Sequence, residues 1–262
     1  MQGAKPGAGI TRICIARPDA VEVRGRDLTG ELMGRLSFTE YFYLLVTGSE
    51  PSAQQRYFLD LLLVAIAEHG LTPTVQAARM TLAAAPESLQ GALAAGLLGC
   101  GSVLLGTSEM CGRLLTTAQA RVAAGAAPQA VALGIVEELR GTGARMPGFG
   151  HPTHRPVDPR AERIFELADE RGISGPHVDL ARHFREAVAA ARGKPLVMNV
   201  SMPIAAVLLD LEFPASMIKA IPLLARTGGI LAHLAEEQQN PLGFVMAANA
   251  EAAVAYHLDE GD

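Results

Sequence analysis

Two periods of hydrophobic and polar residues organise this chain. Ile13-Cys14-Ile15 and Val21-Glu22-Val23 alternate with the two-residue period of a strand, and Arg17-Pro18-Asp19-Ala20 between them has turn chemistry. This predicts a short N-terminal β-hairpin. From residue 37 onward apolar positions recur at helical spacing, and capping residues mark the helix boundaries. Ser37 and Glu40 form a capping box for a helix that Gly48 ends, and Ser52 and Gln55 repeat the device before residues 57–69. Thr72-Pro73 opens a helix over 74–84, Pro86 one over 87–98, Ser108 or Glu109 one reaching 124, and Pro128 one that Gly141 closes. Asp158-Pro159 caps a helix ending before Gly172, and helical stretches over 176–192, 202–211, 216–239 and 241–257 follow. The fold class is mostly α.

Several of these helices are apolar on more than one face, notably at 92–98, 122–132 and 188–191. Such helices need cover on several sides, from a second layer or from a partner subunit, so a homodimer or higher homo-oligomer is expected. Composition agrees with a globular chain: of 262 residues 49% are hydrophobic and 19% charged. The net charge of −5 argues against a nucleic-acid partner. The apolar runs at 61–67, 89–98 and 207–211 are shorter than a bilayer requires, and no basic segment followed by an apolar one opens the sequence. A cytoplasmic protein without a membrane partner is expected. Cys14, Cys100 and Cys111 are odd in number and lack metal-ligand spacing, which predicts buried, reduced thiols.

Residues 141–157 break the helical pattern with Gly141, Gly143, Pro147, Gly148, Gly150, Pro152 and Pro156. From Arg140 to Arg163 five arginines stand against Asp158 and Glu162, a local charge of +3 inside an acidic chain. Arginine suits bidentate binding of phosphate or carboxylate. Gly148 and Gly150 allow a ligand to approach the backbone, and His151 beside them can exchange a proton near neutral pH. The stretch fits an anionic ligand carrying a phosphate and a reacting oxygen, and on pattern alone it fits a solvated loop with ordinary surface arginines equally well. His151 and His154 are three apart, but no acidic or cysteine partner is spaced with them, so no metal is expected.

The segment "PGFGHPTHRPVDPRAERI" resembles the signature of the citrate synthase family, and fainter likenesses follow in order. They are "RGRDL", "SFTEYFYLLVTGSEP", "EHGLTPTVQAAR", "GSVLLGTSE", "NVS" and "ARTGGILAHLAEE", so the resemblance covers nearly the whole chain. It implies a citrate-synthase-like helical homodimer with large and small domains, here one unit over 1–262 with a small lid subdomain at 110–205 and the large one at 1–109 plus 206–262. It implies substrates built from oxaloacetate and acetyl-CoA. His151 resembles the histidine on the oxaloacetate carbonyl, and Arg160 and Arg226 resemble arginines holding its carboxylates. His69 resembles a further oxaloacetate-binding histidine, and Thr72 stands where the family carries asparagine beside it. Arg155, with neighbours such as Arg145, resembles a contact to CoA phosphate. The backbone of Pro147, Gly148, Phe149 and Gly150 resembles the loop that recognises CoA adenine. No resident cofactor is implied; the coenzyme A thioester is substrate or product, with a small dicarboxylate or tricarboxylate as partner ligand.

The departures redirect the reading. The synthase histidine that stabilises the acetyl-CoA enolate falls on Leu104, and the carboxylate that takes the methyl proton falls on Ser201. Residues 238–243 lack the cation that synthases often lend to the partner subunit. What remains resembles short bacterial citryl-CoA lyases, related to the C-terminal part of ATP-citrate lyase. There His151 is placed to act as the base on the tertiary hydroxyl. Ser201, Ser102, a backbone N–H or water must then serve the enolate. Three readings stay open: a citryl-CoA lyase, an enzyme on another acyl-CoA, and a CoA-ester or metabolite binder without turnover.

Overall fold

The computed structural model describes residues 9–257, and the chain packs as two compact units, 1–60 and 61–262. The first unit holds three short strands, β1 (Cys14–Ala16), β2 (Val21–Val23) and β3 (Arg26–Asp27), in an antiparallel sheet of order β1-β2-β3. Cys14 pairs with Val23 and Ala16 with Val21, while Arg17 N–H closes the turn on the Ala20 carbonyl at 2.7 Å. A π-helical turn over Leu28–Leu32 follows, started by the Asp27 carboxylate, which accepts the amides of Thr29 and Gly30. α1 (Phe38–Thr47) begins with the reciprocal Ser37–Glu40 box and ends at Gly48 in the left-handed conformation. Val23, Leu32 and Leu44 form this unit's small core. Cys14 is exposed, which corrects the expectation of three buried thiols; a three-residue strand at a sheet edge has no layer to cover it. Cys100 and Cys111 are buried, and burial pushes both thiols up.

α2 (Ala53–Ala67) starts on a second reciprocal box: Ser52 N–H donates to Gln55 Oε1 at 2.8 Å and Gln55 N–H to Ser52 Oγ at 3.2 Å. The elements that follow in the second unit are helices: α3 (Pro73–Ala84), α4 (Leu89–Leu98), α5 (Thr107–Ala123), α6 (Pro128–Gly141), α7 (Pro159–Glu170), α8 (Pro176–Arg192), α9 (Ser201–Asp210), α10 (Ala220–Gln239) and α11 (Gly243–Ala253). Proline at the first helical position fixes φ where no N–H is needed, which is why α3, α6, α7 and α8 begin where the sequence places them. α9 is buried on all sides from Met202 to Leu208 because α5, α7 and α8 all pack on it. α3, α4 and α10 share a core of Val75, Ala78, Leu82, Ala92, Ile230 and Leu234.

The helical segment Ala215–Gln239, which ends in α10, is long and apolar enough to cross a membrane by length and composition, yet it buries Arg226 and Glu237 against protein. Glu237 pairs with the buried Arg79 of α3 at 2.6 Å and accepts the amides of Leu242 and Gly243, tying α10, α11 and α3 together. Gly229 sets how close α10 comes to the end of α2. A Cβ there would stand 2.1 Å from the Ala67 carbonyl oxygen, so no other residue permits this approach.

Candidate active site

The irregular stretch between α6 and α7 is held by strand-like pairing with the segment before α9. Asn199 N–H donates to the Gly148 carbonyl at 2.8 Å and Gly150 N–H to the Val197 carbonyl at 2.7 Å, with Phe149 opposite Met198. Asn199 Nδ2 adds a bond to the Gly150 carbonyl at 3.0 Å. Gly148 has φ +77°, and a Cβ on it would meet Cys111 Sγ at 2.8 Å and Met202 Cβ at 2.9 Å. Gly148 therefore lets the loop come down onto α5 and α9.

Asp158 anchors the other end of the loop. Its fully buried carboxylate accepts Arg160 N–H at 3.1 Å, Arg160 Nε at 3.0 Å, Arg160 Nη2 at 2.9 Å and the Val200 amide at 3.1 Å. Burial alone would raise this carboxyl; the hydrogen bonds and charge of Arg160 outweigh burial and hold it below the ordinary range. One carboxylate thus caps α7, orients the Arg160 guanidinium and fixes the start of α9.

Between these anchors His151 turns back on its own loop. Its Nδ1 accepts the amides of Thr153 at 3.0 Å and His154 at 2.9 Å. A nitrogen that accepts two N–H bonds carries no proton, so in the neutral ring the proton sits on Nε2. Burial, followed by the charges of His154, Arg160 and His69, lowers the pKa of His151 against the opposing pull of Asp158, which favours that neutral ring. His154 lies 4.3 Å from His151 between ring centres, and His69 lies 5.3 and 5.4 Å from the pair. Their nitrogens lie within 4.8 Å of one another, a metal-like spacing that the sequence hid because His69 belongs to a distant segment. The tautomer of His151 does not suit a metal: Nδ1 is taken by amides and Nε2 presents an N–H. His151 thus presents a donor suited to an oxygen.

His69 and His151, but not His154, line a cavity of about 220 Å³. His69, Thr72, Gly150, His151, Arg160, Ser201 and Arg226 of the expected set line it, together with Leu104. Helix starts surround it: Thr72 and Thr74 from α3, Thr107 and Ser108 from α5, Arg160 from α7, and Val200 and Ser201 from α9. Each brings the positive end of a helix dipole, so the site favours an anion before any side-chain charge is counted. Arg226 is buried; it donates from Nη1 to Thr72 Oγ1 and from Nη2 to the Ile66 carbonyl, both at 3.2 Å. Burial lowers its pKa, opposed by Glu68, and no carboxylate among the described residues pairs with it. Three buried polar atoms on this one wall have no protein partner: His69 Nε2, Ser108 Oγ and Arg226 Nε. Thr72 spends its hydroxyl on Arg226 in place of capping α3.

The expected CoA-binding residues disperse. Arg145 and Phe149 line a larger cavity of about 600 Å³ whose walls include Arg140, Arg192, Lys194 and Leu196. Pro147 lines a third cavity against α5 and α6, and Gly148 is buried beneath the loop. Arg155 is exposed and lines none of these three cavities. Ser108, Asn199 and Lys194 were not singled out as ligands in the sequence; Asn199 and Ser108 did lie inside family-like segments, whereas Lys194 gave no signal.

With this geometry, residues 10–243 match the family described as citrate synthase, C-terminal domain. The chain belongs to the citrate synthase family. Among solved structures it is similar to citryl-CoA lyase from Hydrogenobacter thermophilus, at 28% identity and TM-score 0.84 over 97% of this chain and 96% of that one. It is also similar to ATP citrate lyase from Methanothrix soehngenii in complex with citrate and coenzyme A, at 20% identity and TM-score 0.75 over 98% of this chain and 43% of that one, a likeness of fold. A Mycobacterium tuberculosis H37Rv protein named "Putative citrate synthase 2" is 28% identical over 195 residues, 72% of this chain. The chain spans half the length of the curated relatives it matches.

Proposed function

We propose that this protein cleaves citryl-CoA, or a close hydroxyacyl-CoA, into acetyl-CoA and oxaloacetate. The observation that carries the reading is the single cavity in which Arg160, Arg226 and the imidazoles of His69 and His151 converge, with partnerless buried polar atoms among its lining residues. Two guanidiniums suit the two carboxylates of an oxaloacetate-like unit. His151, as the Nε2–H tautomer, faces the oxygen on the reacting carbon as a donor and stabilises it as the carbon becomes a carbonyl. The hydroxyl proton then needs another acceptor, and His69, with its buried and unpaired Nε2, is the group we assign. Ser201 supplies a hydroxyl where the acetyl carbon takes up its proton. The nucleotide of the thioester fits the larger cavity, with Arg140, Arg145, Arg192 and Lys194 for phosphates and Phe149 as an apolar wall.

Similarity to citryl-CoA lyase along nearly the whole of both chains supports this reading. A second reading, a CoA-ester binder without turnover, is favoured by Leu104 and Ser201, which put neither imidazole nor carboxylate on their part of the wall. Incubation with citryl-CoA separates the two. Release of oxaloacetate and acetyl-CoA together supports the lyase; tight binding with no release supports the binder.

A further inference from the structure

The cleavage proposed above needs a group that holds charge on the thioester oxygen, and neither Leu104 nor a cation supplies one. The wall of the cavity at the start of α5 offers another kind of donor. Ser108 is 1% exposed and its Oγ has no protein partner. A helical serine commonly bonds the carbonyl four residues back, but Ser108 is the second residue of its helix and that position precedes the helix. Gly106, the residue before α5, brings no side-chain cap, and the first intrahelical bond is made by Met110 to the Gly106 carbonyl at 3.3 Å. The amides of Thr107, Ser108 and Glu109 therefore point out of a seventeen-residue helix without an intrahelical acceptor. Thr107 and Ser108 line the same cavity as His151, Arg160 and Arg226.

The competing hydroxyls are less suited. Ser102 is exposed and does not line the cavity, and Ser201 is half-buried, so water competes for its hydroxyl. A dry, fixed dipole stabilises developing charge more than a hydrated one. The ligand's carboxylates carry full charge and have the guanidiniums as partners. A thioester oxygen is neutral before reaction and charged only during it, which is the case that uncharged fixed donors serve best.

We propose that Ser108 Oγ and the free amides of α5 form the pocket for the thioester oxygen, an inference that rests on the lyase reading. In the step concerned, the tertiary hydroxyl gives its proton to an imidazole and its C–O bond becomes the ketone of oxaloacetate. The carbon–carbon pair passes to the acetyl carbon, with its charge delocalised onto the thioester oxygen at Ser108. That carbon then takes a proton, so acetyl-CoA leaves and no proton is gained or lost overall.

Ser108→Ala removes only an unpartnered hydroxyl, and its fold is checked by an unchanged melting temperature. For citryl-CoA cleavage we expect kcat to fall by about 100-fold with KM changed less than about threefold; an unchanged kcat overturns the proposal. A second measurement does not depend on turnover. S-carboxymethyl-coenzyme A carries a planar anion where the enolate would stand, and calorimetry should find it bound at least about tenfold more tightly than coenzyme A by the wild type, a preference lost in Ser108→Ala. A preference retained in the variant, or absent from the wild type, overturns the proposal. A wild type that shows the preference but never cleaves citryl-CoA sinks the lyase reading and leaves the oxygen pocket standing.

Discussion

Arg160 Nη2 lies 3.4 Å from His151 Nε2, and neither can accept a hydrogen bond from the other. The guanidinium has only donors, and the two amides on His151 Nδ1 leave the proton on Nε2. Two N–H groups thus aim at one place, which an oxygen of the ligand would fill. Asp158 holds the Arg160 side of this pair, and the backbone of Thr153 and His154 holds the other.

His151→Ala should abolish citryl-CoA cleavage while oxaloacetate still binds through Arg160 and Arg226; retained cleavage would remove His151 from the chemistry. The same residue predicts a pH dependence of stability. Burial first, then the neighbouring cations, depress its folded pKa. The unfolded chain then binds the proton more readily, so the stabilisation is complete above about pH 6.5 and is lost as pH falls through the lower folded value. The melting temperature should drop on acidification in that window, and less steeply in His151→Ala. Equal slopes would show that the ring is not held neutral.

Arg226→Ala should weaken oxaloacetate binding by about 1.5–3 kcal/mol, the worth of a hydrogen bond to a charged group. Stability should hardly fall, because the guanidinium is buried without a carboxylate partner. Calorimetry with oxaloacetate and a thermal melt check both halves. A large loss of stability with unchanged binding would make Arg226 a structural residue.

Arg79→Ala should cost about 3–5 kcal/mol, since Glu237 would be left buried without its main charged partner. Arg79→Met with Glu237→Leu should recover part of that loss. Urea titrations of the single and double variants measure the difference, and a double variant no better than the single would deny the coupling.

Arg145→Ala should weaken coenzyme A binding by about 1.5–3 kcal/mol, as expected for a phosphate contact. Arg155→Ala should change it by less than about 0.5 kcal/mol, because the structure leaves Arg155 exposed and outside both cavities. The family resemblance favoured Arg155. Calorimetry that ranks the two variants the other way round would return the phosphate to the loop arginine.

Leu98 is 86% exposed at the end of α4 and Val103 is 86% exposed just beyond it. We expect this apolar surface to be covered in a homodimer, and Leu98→Asp to shift sedimentation towards the monomer. A wild type that sediments as a monomer at micromolar concentration would end this reading.

Helix starts were legible because their causes are local. Ser37 with Glu40, Ser52 with Gln55, and the prolines at 73, 128, 159 and 176 act within one turn, and each helix begins at or beside them. The 145–160 stretch was legible for the same reason: Gly148, His151, Asp158 and Arg160 lie within thirteen residues, and Asp158 cradles Arg160 two positions on. Only tertiary packing decided the rest. His69 and Arg226 reach His151 because Gly229 admits α10 against the end of α2, an approach written in the space between helices and in no single segment. The dry hydroxyl of Ser108 and the buried Arg79–Glu237 pair depend in the same way on what covers them. A residue type sets which bonds a side chain can make, but burial, tautomer and partner are set by neighbours that the chain brings from far away.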